Sequence, residues 1–296
     1  MEKNNLSDIL LVPVDFGDYY EKALEFAIRL ASITKSQIHL IHVLDLRDWW
    51  LNELKEERLI NEAFNKLLHI SRLFGLPNDT KLMVLTGKRH QKIVEYAEQE
   101  NVRFILMVDN YPFAQDEKRI GSTLENVIMK ATKPVVTVKN VPNTIFKNML
   151  IPLDLTKNSR MNLLDSVSLA LKFSSQLNLV SVLFGDIDPE KSRINEKVEK
   201  YSAIYTENNI PHTKKLIRKD EDLAYQEILE YAEEINCDSI LIMTHKESTR
   251  FDNYIGAFAH HIINESKVPV ISLNNASSSQ TTVDLLSSVI DPLNIF

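Results

Sequence analysis

Ile93-Val94-Glu95-Tyr96-Ala97-Glu98, followed six residues on by Phe104-Ile105-Leu106-Met107, returns later in the chain as Ile228-Leu229-Glu230-Tyr231-Ala232-Glu233 followed by Ser239-Ile240-Leu241-Ile242. A helical stretch and a strand-length apolar run recurring together at an offset of 135 residues mark a duplicated unit. The same offset pairs Gly121 with Gly256 and Lys133-Pro134-Val135 with Val268-Pro269-Val270. Toward the front, Leu11-Val12-Pro13-Val14-Asp15 pairs with Leu150-Ile151-Pro152-Leu153-Asp154 at an offset of 139, so the second copy is four residues shorter in its middle. Two homologous domains are expected, over 1–143 and 144–275, with residues 276–296 as a C-terminal tail belonging to neither.

Within each copy, short β-branched runs alternate with longer segments of helical periodicity, which predicts βαβ units and a parallel sheet. Strands are expected near 8–14, 36–44, 80–86, 102–109 and 134–139, and again near 148–153, 178–184, 212–218, 238–243 and 269–274. Helices are expected at about 18–34, 50–74, 89–100 and 121–131. The first carries Ala23, Leu24, Ala27, Leu30 and Ala31 on one face, suited to packing on the sheet. The fold class is therefore α/β, with two tandem doubly wound domains.

Composition excludes several classes of chemistry. The six glycines of the 296 residues stand at 17, 75, 87, 121, 185 and 256, too far apart for a G-x-G-x-x-G turn or a G-x-x-x-x-G-K-[ST] loop. A net charge of −7 without a long basic run argues against nucleic acid as a partner. Apolar stretches such as Ile9 to Val14 have strand length, not the ~20 residues of a membrane-spanning helix. The single cysteine, Cys237, permits no internal disulfide, and with no signal-peptide core after Met1 a cytoplasmic protein is expected.

In open parallel sheets, ligands bind beyond the carboxyl ends of the strands. Asp15 and Asp154 end the first strand of each copy, where a carboxylate either accepts hydrogen bonds from a ligand base or ribose or caps the following helix. Gly121-Ser122-Thr123-Leu124-Glu125 opens the last helix of the first copy. Ser122 and Glu125 have the spacing of a capping box, and exposed amides there would make an anion site. The second copy has Gly256-Ala257-Phe258-Ala259 instead, without the hydroxyl pair, so its anion site is expected to be weaker. Adjacent His260 and His261 point to different helix faces and do not form an i, i+4 metal pair. His245 and Asp154 have no Ser or Cys nucleophile beside them, so no enzymatic activity is indicated.

A strand ending in Pro13-Val14-Asp15, His42-Val43 at the end of the second strand, Gly87 after the third and Gly121-Ser122-Thr123 before a helix leading to Lys133-Pro134-Val135-Val136 together resemble the universal stress protein family. The duplication makes the chain similar to tandem members. The resemblance implies a five-stranded parallel sheet in the order 3-2-1-4-5 and, in many members, ATP binding through a G-x2-G-x9-G-[ST] motif; other members lack the motif and bind no nucleotide. Here the two early glycine positions are Val108 and Tyr111 in the first copy and Met243 and Lys246 in the second. A Cβ at such positions holds the backbone away from a phosphate.

What the resemblance leaves for an adenine nucleotide is Pro13, Asp15, Val43, Gly121, Ser122 and Thr123 in the first copy, and Asp154, Val182 and Gly256 in the second. ATP is expected to bind weakly or not at all, and then in the first domain; no other cofactor and no metal is implied. Lys246, Lys88 and Arg89 could add point charge toward a phosphate. The expected function is a stress-response binding or sensor module with a degenerate adenine-nucleotide site. The alternative is a nucleotide-independent interaction or scaffold protein with both sites inactive, acting through its tail and Trp49-Trp50 on a protein partner. The halves are expected to pack as an intramolecular pseudo-dimer through their last strands, and homodimers of the chain are compatible with this.

Overall fold

The computed structural model describes residues 8–17, 19–45, 53–100, 102–109, 120–153, 160–183, 192–218, 224–244 and 256–274. Among these, 8–141 cluster as one compact unit and the remainder, from 142 onward, as a second. Trp49-Trp50, Tyr111, Asp154, His245, Lys246 and the 276–296 tail lie outside the described residues.

The first unit runs β1 (Ile9–Pro13), α1 (Tyr20–Thr34), β2 (Gln37–Leu44), α2 (Glu53–Leu73), β3 (Lys81–Thr86), α3 (Arg89–Gln99), β4 (Val102–Met107), α4 (Ser122–Lys130) and β5 (Val135–Thr137). Its sheet order is β3-β2-β1-β4-β5, with every neighbouring pair parallel. The second unit repeats this: β6 (Asn148–Pro152), α5 (Arg160–Phe173), β7 (Gln176–Leu183), α6 (Arg193–Glu207), β8 (His212–Arg218), α7 (Ala224–Glu234), β9 (Ser239–Thr244), α8 (Ala257–Glu265) and β10 (Val270–Asn274). The order β8-β7-β6-β9-β10 is again 3-2-1-4-5, and again all parallel.

Central strands are covered on both faces, which is why they read as unbroken apolar runs rather than alternating ones. Leu10, Leu11 and Val12 of β1 are fully buried, as are Leu150 and Ile151 of β6. On α1 the buried residues are Ala23, Leu24, Phe26, Ala27, Leu30 and Ala31, the face the spacing predicts with Phe26 added. Each large side chain so buried contributes about 1.5–3 kcal/mol.

The outer strands β3 and β8 differ, being half-buried or exposed along their length. On each a lysine is held in the same way. Lys81 reaches Glu100 at 3.2 Å and lies 5.6 Å from the Tyr96 ring centre, while Lys215 reaches Glu234 at 2.7 Å and lies 4.0 Å from that of Tyr231.

Element ends shift by up to three residues from the sequence expectation, as two strands illustrate. The β5 ladder with β4 covers only Val135 to Thr137, because Pro134 has no N–H to donate; flanking it, the Pro134 carbonyl accepts from Ile105 N–H at 3.0 Å and Val138 N–H donates to the Met107 carbonyl at 2.8 Å. The second strand of the second unit starts at Gln176, two residues before the expected 178.

At the start of β9, buried Asp238 ties the strand to the segment leading into β6. One of its oxygens accepts from the Thr144 hydroxyl at 2.7 Å and from Lys147 N–H at 2.8 Å, and the other accepts from the Ser239 hydroxyl at 3.1 Å.

Candidate functional site

β1 and β4 are neighbours although β2 and β3 lie on the far side of β1, so strand order reverses between them. A crevice opens at the carboxyl end of that reversal in this topology. In the first unit it is a cleft of about 260 Å³. Pro13, Val14 and Asp15 border it from the end of β1, Val43 from β2, Met107 and Val108 from β4, Arg89 and Ile93 from α3, and Gly121 to Leu124 from α4. All six residues expected in the first half are thus brought together. Ile93, Met107, Leu124 and exposed Arg89 join them.

The β1 side of the cleft is held by a tight turn. The Asp15 carboxylate accepts from Gly17 N–H at 3.0 Å, an Asx turn within the loop. Asp15 is therefore not the cap of α1: the capping position belongs to Tyr19, which supplies no side-chain bond. Between them, Phe16 sits at φ 62°, a left-handed conformation that costs an aromatic residue energy. Its ring stacks on His42 at 4.1 Å between centroids, with the Lys66 ammonium 5.3 Å from the ring centre.

His42 donates from Nδ1 to the Val14 carbonyl at 2.6 Å. A carbonyl can only accept, so this contact places the proton on Nδ1. Burial holds the His42 pKa below its ordinary value; Arg89 and Lys66 push the same way, against the Val14 bond and Asp15. The ring is neutral at pH 7, and it fixes the loop that carries Asp15.

The α4 side departs from expectation. Gly121, not Ser122, is the capping residue (φ −59°, ψ 134°), and no side chain caps the helix from that position. Ser122 is the first helical residue, one place too late for a capping box with Glu125. Glu125 N–H instead bonds back to the Gly121 carbonyl at 3.0 Å. The Ser122 and Thr123 hydroxyls find no partner among the described residues, and they face the cleft end of the helix.

The amide of the capping residue is already taken. Half-buried Asp109, two residues past the end of β4, accepts from Gly121 N–H through Oδ1 at 3.1 Å. A carboxylate thus sits at the positive end of the helix dipole, where an anion is stabilised. Asp109 escaped the sequence reading, although it stands inside the stretch where a phosphate-cradling loop was sought; a carboxylate there is the signal that could have found it.

In the second unit Gly256 again precedes its helix, with φ −50° and ψ 141° and no side-chain cap. Val182 lies half-buried near the end of β7, and Asp154 is outside the described residues. The residue equivalent to Asp109 is Thr244, whose hydroxyl is turned away to the Leu273 carbonyl at 3.1 Å. Phe258, exposed by 37%, stands where the first unit has Thr123. His261 stacks on Tyr225 at 4.1 Å and contacts Glu265 at 3.0 Å. No group of three or more His, Cys, Asp or Glu suited to a metal occurs among the described residues.

A profile of the universal stress protein family matches residues 7–139 and again 145–273. The chain belongs to that family. Universal stress protein MJ0577 of Methanocaldococcus jannaschii is 31% identical over 152 residues, which is 44% of this chain and 93% of that protein. The crystal structure of a universal stress protein from Archaeoglobus fulgidus superposes with a TM-score of 0.72 at 20% identity, covering 91% of this chain and 99% of the other, so the fold is shared along nearly its whole length. Another universal stress protein of A. fulgidus, 22% identical over 45% of this chain and 98% of its own, with a TM-score of 0.35, is solved in complex with dAMP. This universal stress protein therefore carries two family domains in tandem. Among its described residues no helix is long and apolar enough to cross a membrane.

Proposed function

We propose that this universal stress protein is a cytoplasmic stress-response binding module, not an enzyme, that retains a reduced adenine-nucleotide site in its first half. The supporting observation is the single cleft that gathers Pro13, Asp15, Val43, Gly121, Ser122 and Thr123. Apolar Pro13 and Val43 suit a planar base, Asp15 suits a ribose or amine donor, and the α4 hydroxyls suit a polar group at the far end. Side chains at the early glycine positions weaken the phosphate grip. In the second half Asp154, Val182 and Gly256 are what remains of the site, and the missing hydroxyl pair leaves it weaker still. The domains span 1–143 and 144–275, packed as an intramolecular pseudo-dimer, with the tail outside both; small-angle scattering showing two independently tumbling bodies would refute that pairing.

The test is direct. Denaturing freshly purified protein and chromatographing the supernatant identifies any retained nucleotide, and calorimetric titration with ATP measures occupancy. Weak binding or none is expected, with any site abolished by changes in the first-half cleft. Tight binding of ATP at two sites per chain would overturn the reading.

A further inference from the structure

We infer that the first-half cleft takes an uncharged nucleoside in preference to its phosphorylated forms, with Asp109 supplying from within the chain the anion that a phosphate would otherwise bring. The inference rests on the adenine-site reading above and sharpens the class of ligand. Three observations carry it.

The first is charge. The Asp109 carboxylate holds the amide of Gly121, the residue that caps α4, at 3.1 Å. A phosphate seated at the start of the helix would lie beside a like charge, and like charges at a few ångströms repel strongly wherever water is partly excluded. A neutral ligand meets no such penalty, and its hydroxyls can bond to Ser122 and Thr123 on the cleft wall.

Size is the second. At about 260 Å³ the cleft lies just under the usual range of about 300–1,000 Å³ for small-molecule pockets, which suits a base and sugar better than a base, sugar and three phosphates. The third comes from the duplication. The equivalent position of the second half holds Thr244, committed to a backbone carbonyl, so the carboxylate belongs to the half that keeps the Ser122-Thr123 pair. Arg89 on the cleft wall is exposed, so water and salt weaken its pull on a phosphate.

The experiment is isothermal titration of the full chain with adenosine, AMP and ATP in magnesium-free buffer, so that no cation bridges carboxylate and phosphate, on the wild type and on Asp109→Asn. The wild type is expected to bind adenosine at least tenfold more tightly than ATP. Asp109→Asn should shift the ratio of ATP to adenosine affinity at least tenfold toward ATP, about 1.4 kcal/mol. A wild type that binds ATP as tightly as adenosine, one that takes no adenosine, or a ratio unmoved in Asp109→Asn overturns the inference, while ATP binding in either protein leaves the adenine site standing. No heat from any of the three ligands with either protein overturns both. Circular dichroism checks that the variant is folded, and Asp109→Ser replaces it if it is not.

Discussion

If the Asp109 carboxylate completes the start of α4, removing it should loosen the empty protein even as it opens the cleft to phosphate. Asp109→Ala deletes a hydrogen bond to an ionised acceptor and a favourable charge at a helix N-terminus. Such bonds contribute about 1.5–3 kcal/mol when well buried, capping groups typically about 1 kcal/mol, and the dipole about 0.3–1 kcal/mol. The site is half-buried, and water can reach the freed Gly121 N–H, so the low end applies: about 1–2 kcal/mol for Ala. Asp109→Asn keeps an acceptor oxygen and loses only charge, so its cost should be about half as large. At roughly 2–4 °C per kcal/mol for a unit of this size, Ala lowers the first unit's melting midpoint by about 2–8 °C. Calorimetry on the full chain gives the midpoint, and hydrogen exchange read on the peptide covering α4 says where the loosening occurs. Unchanged midpoint and unchanged α4 exchange in Asp109→Ala would refute the idea that this carboxylate holds the helix.

In the second unit, Asp238→Ala removes three hydrogen bonds from a buried carboxylate and should cost roughly 3 kcal/mol, read as a drop of about 6–12 °C in that unit's transition; a drop under 2 °C would show the cluster to be energetically slack. His39, His42 and His90 are all held below the ordinary value of 6.5, chiefly by burial, so the unfolded chain takes up their protons at higher pH than the folded one does. Their contribution is complete above about pH 6.5 and declines as pH falls toward the folded-state values, so urea midpoints of the first unit should be lower at pH 5.5 than at 7.5, and equal midpoints would contradict this. Buried Cys237, its thiol pushed up to about 12 by burial and by Asp238, should resist iodoacetamide at pH 8 until the protein is unfolded; rapid alkylation of the native chain would show that β9 opens readily.

The fold was legible because duplication and periodicity are properties of linear order. Strand β1 announced itself through unbroken apolar residues that recur at a fixed distance, and helix α1 through a one-sided face. Pro13, Asp15, Val43 and Gly121 were legible as cleft residues because this topology delivers strand ends and one helix start to the same crevice. Asp109 was not, since its meaning lies in a bond to an amide twelve residues away that no local pattern records. Gly121 and Ser122 show the complementary failure. Ser-x-x-Glu spacing suits a capping box, but the chain enters the helix one residue earlier, and a displacement of one position turns a cap into an open hydroxyl.

The two lysines held on β3 and β8 bear on what happens when the protein is crowded. An outer strand offers unpaired backbone groups to any extended chain that passes, and sheet proteins commonly blunt such borders with lysine. Here the ammonium groups are not loose: each is held by a tyrosine ring of the neighbouring helix and a glutamate at or just past that helix's end, so each keeps its place along the border. A foreign strand laid against either border would have to strip water from a positioned charge and part it from its glutamate before gaining its own hydrogen bonds. Both copies of the duplicated domain therefore carry a barrier to strand-by-strand aggregation, set at the outer border of each sheet and independent of whether the cleft is filled.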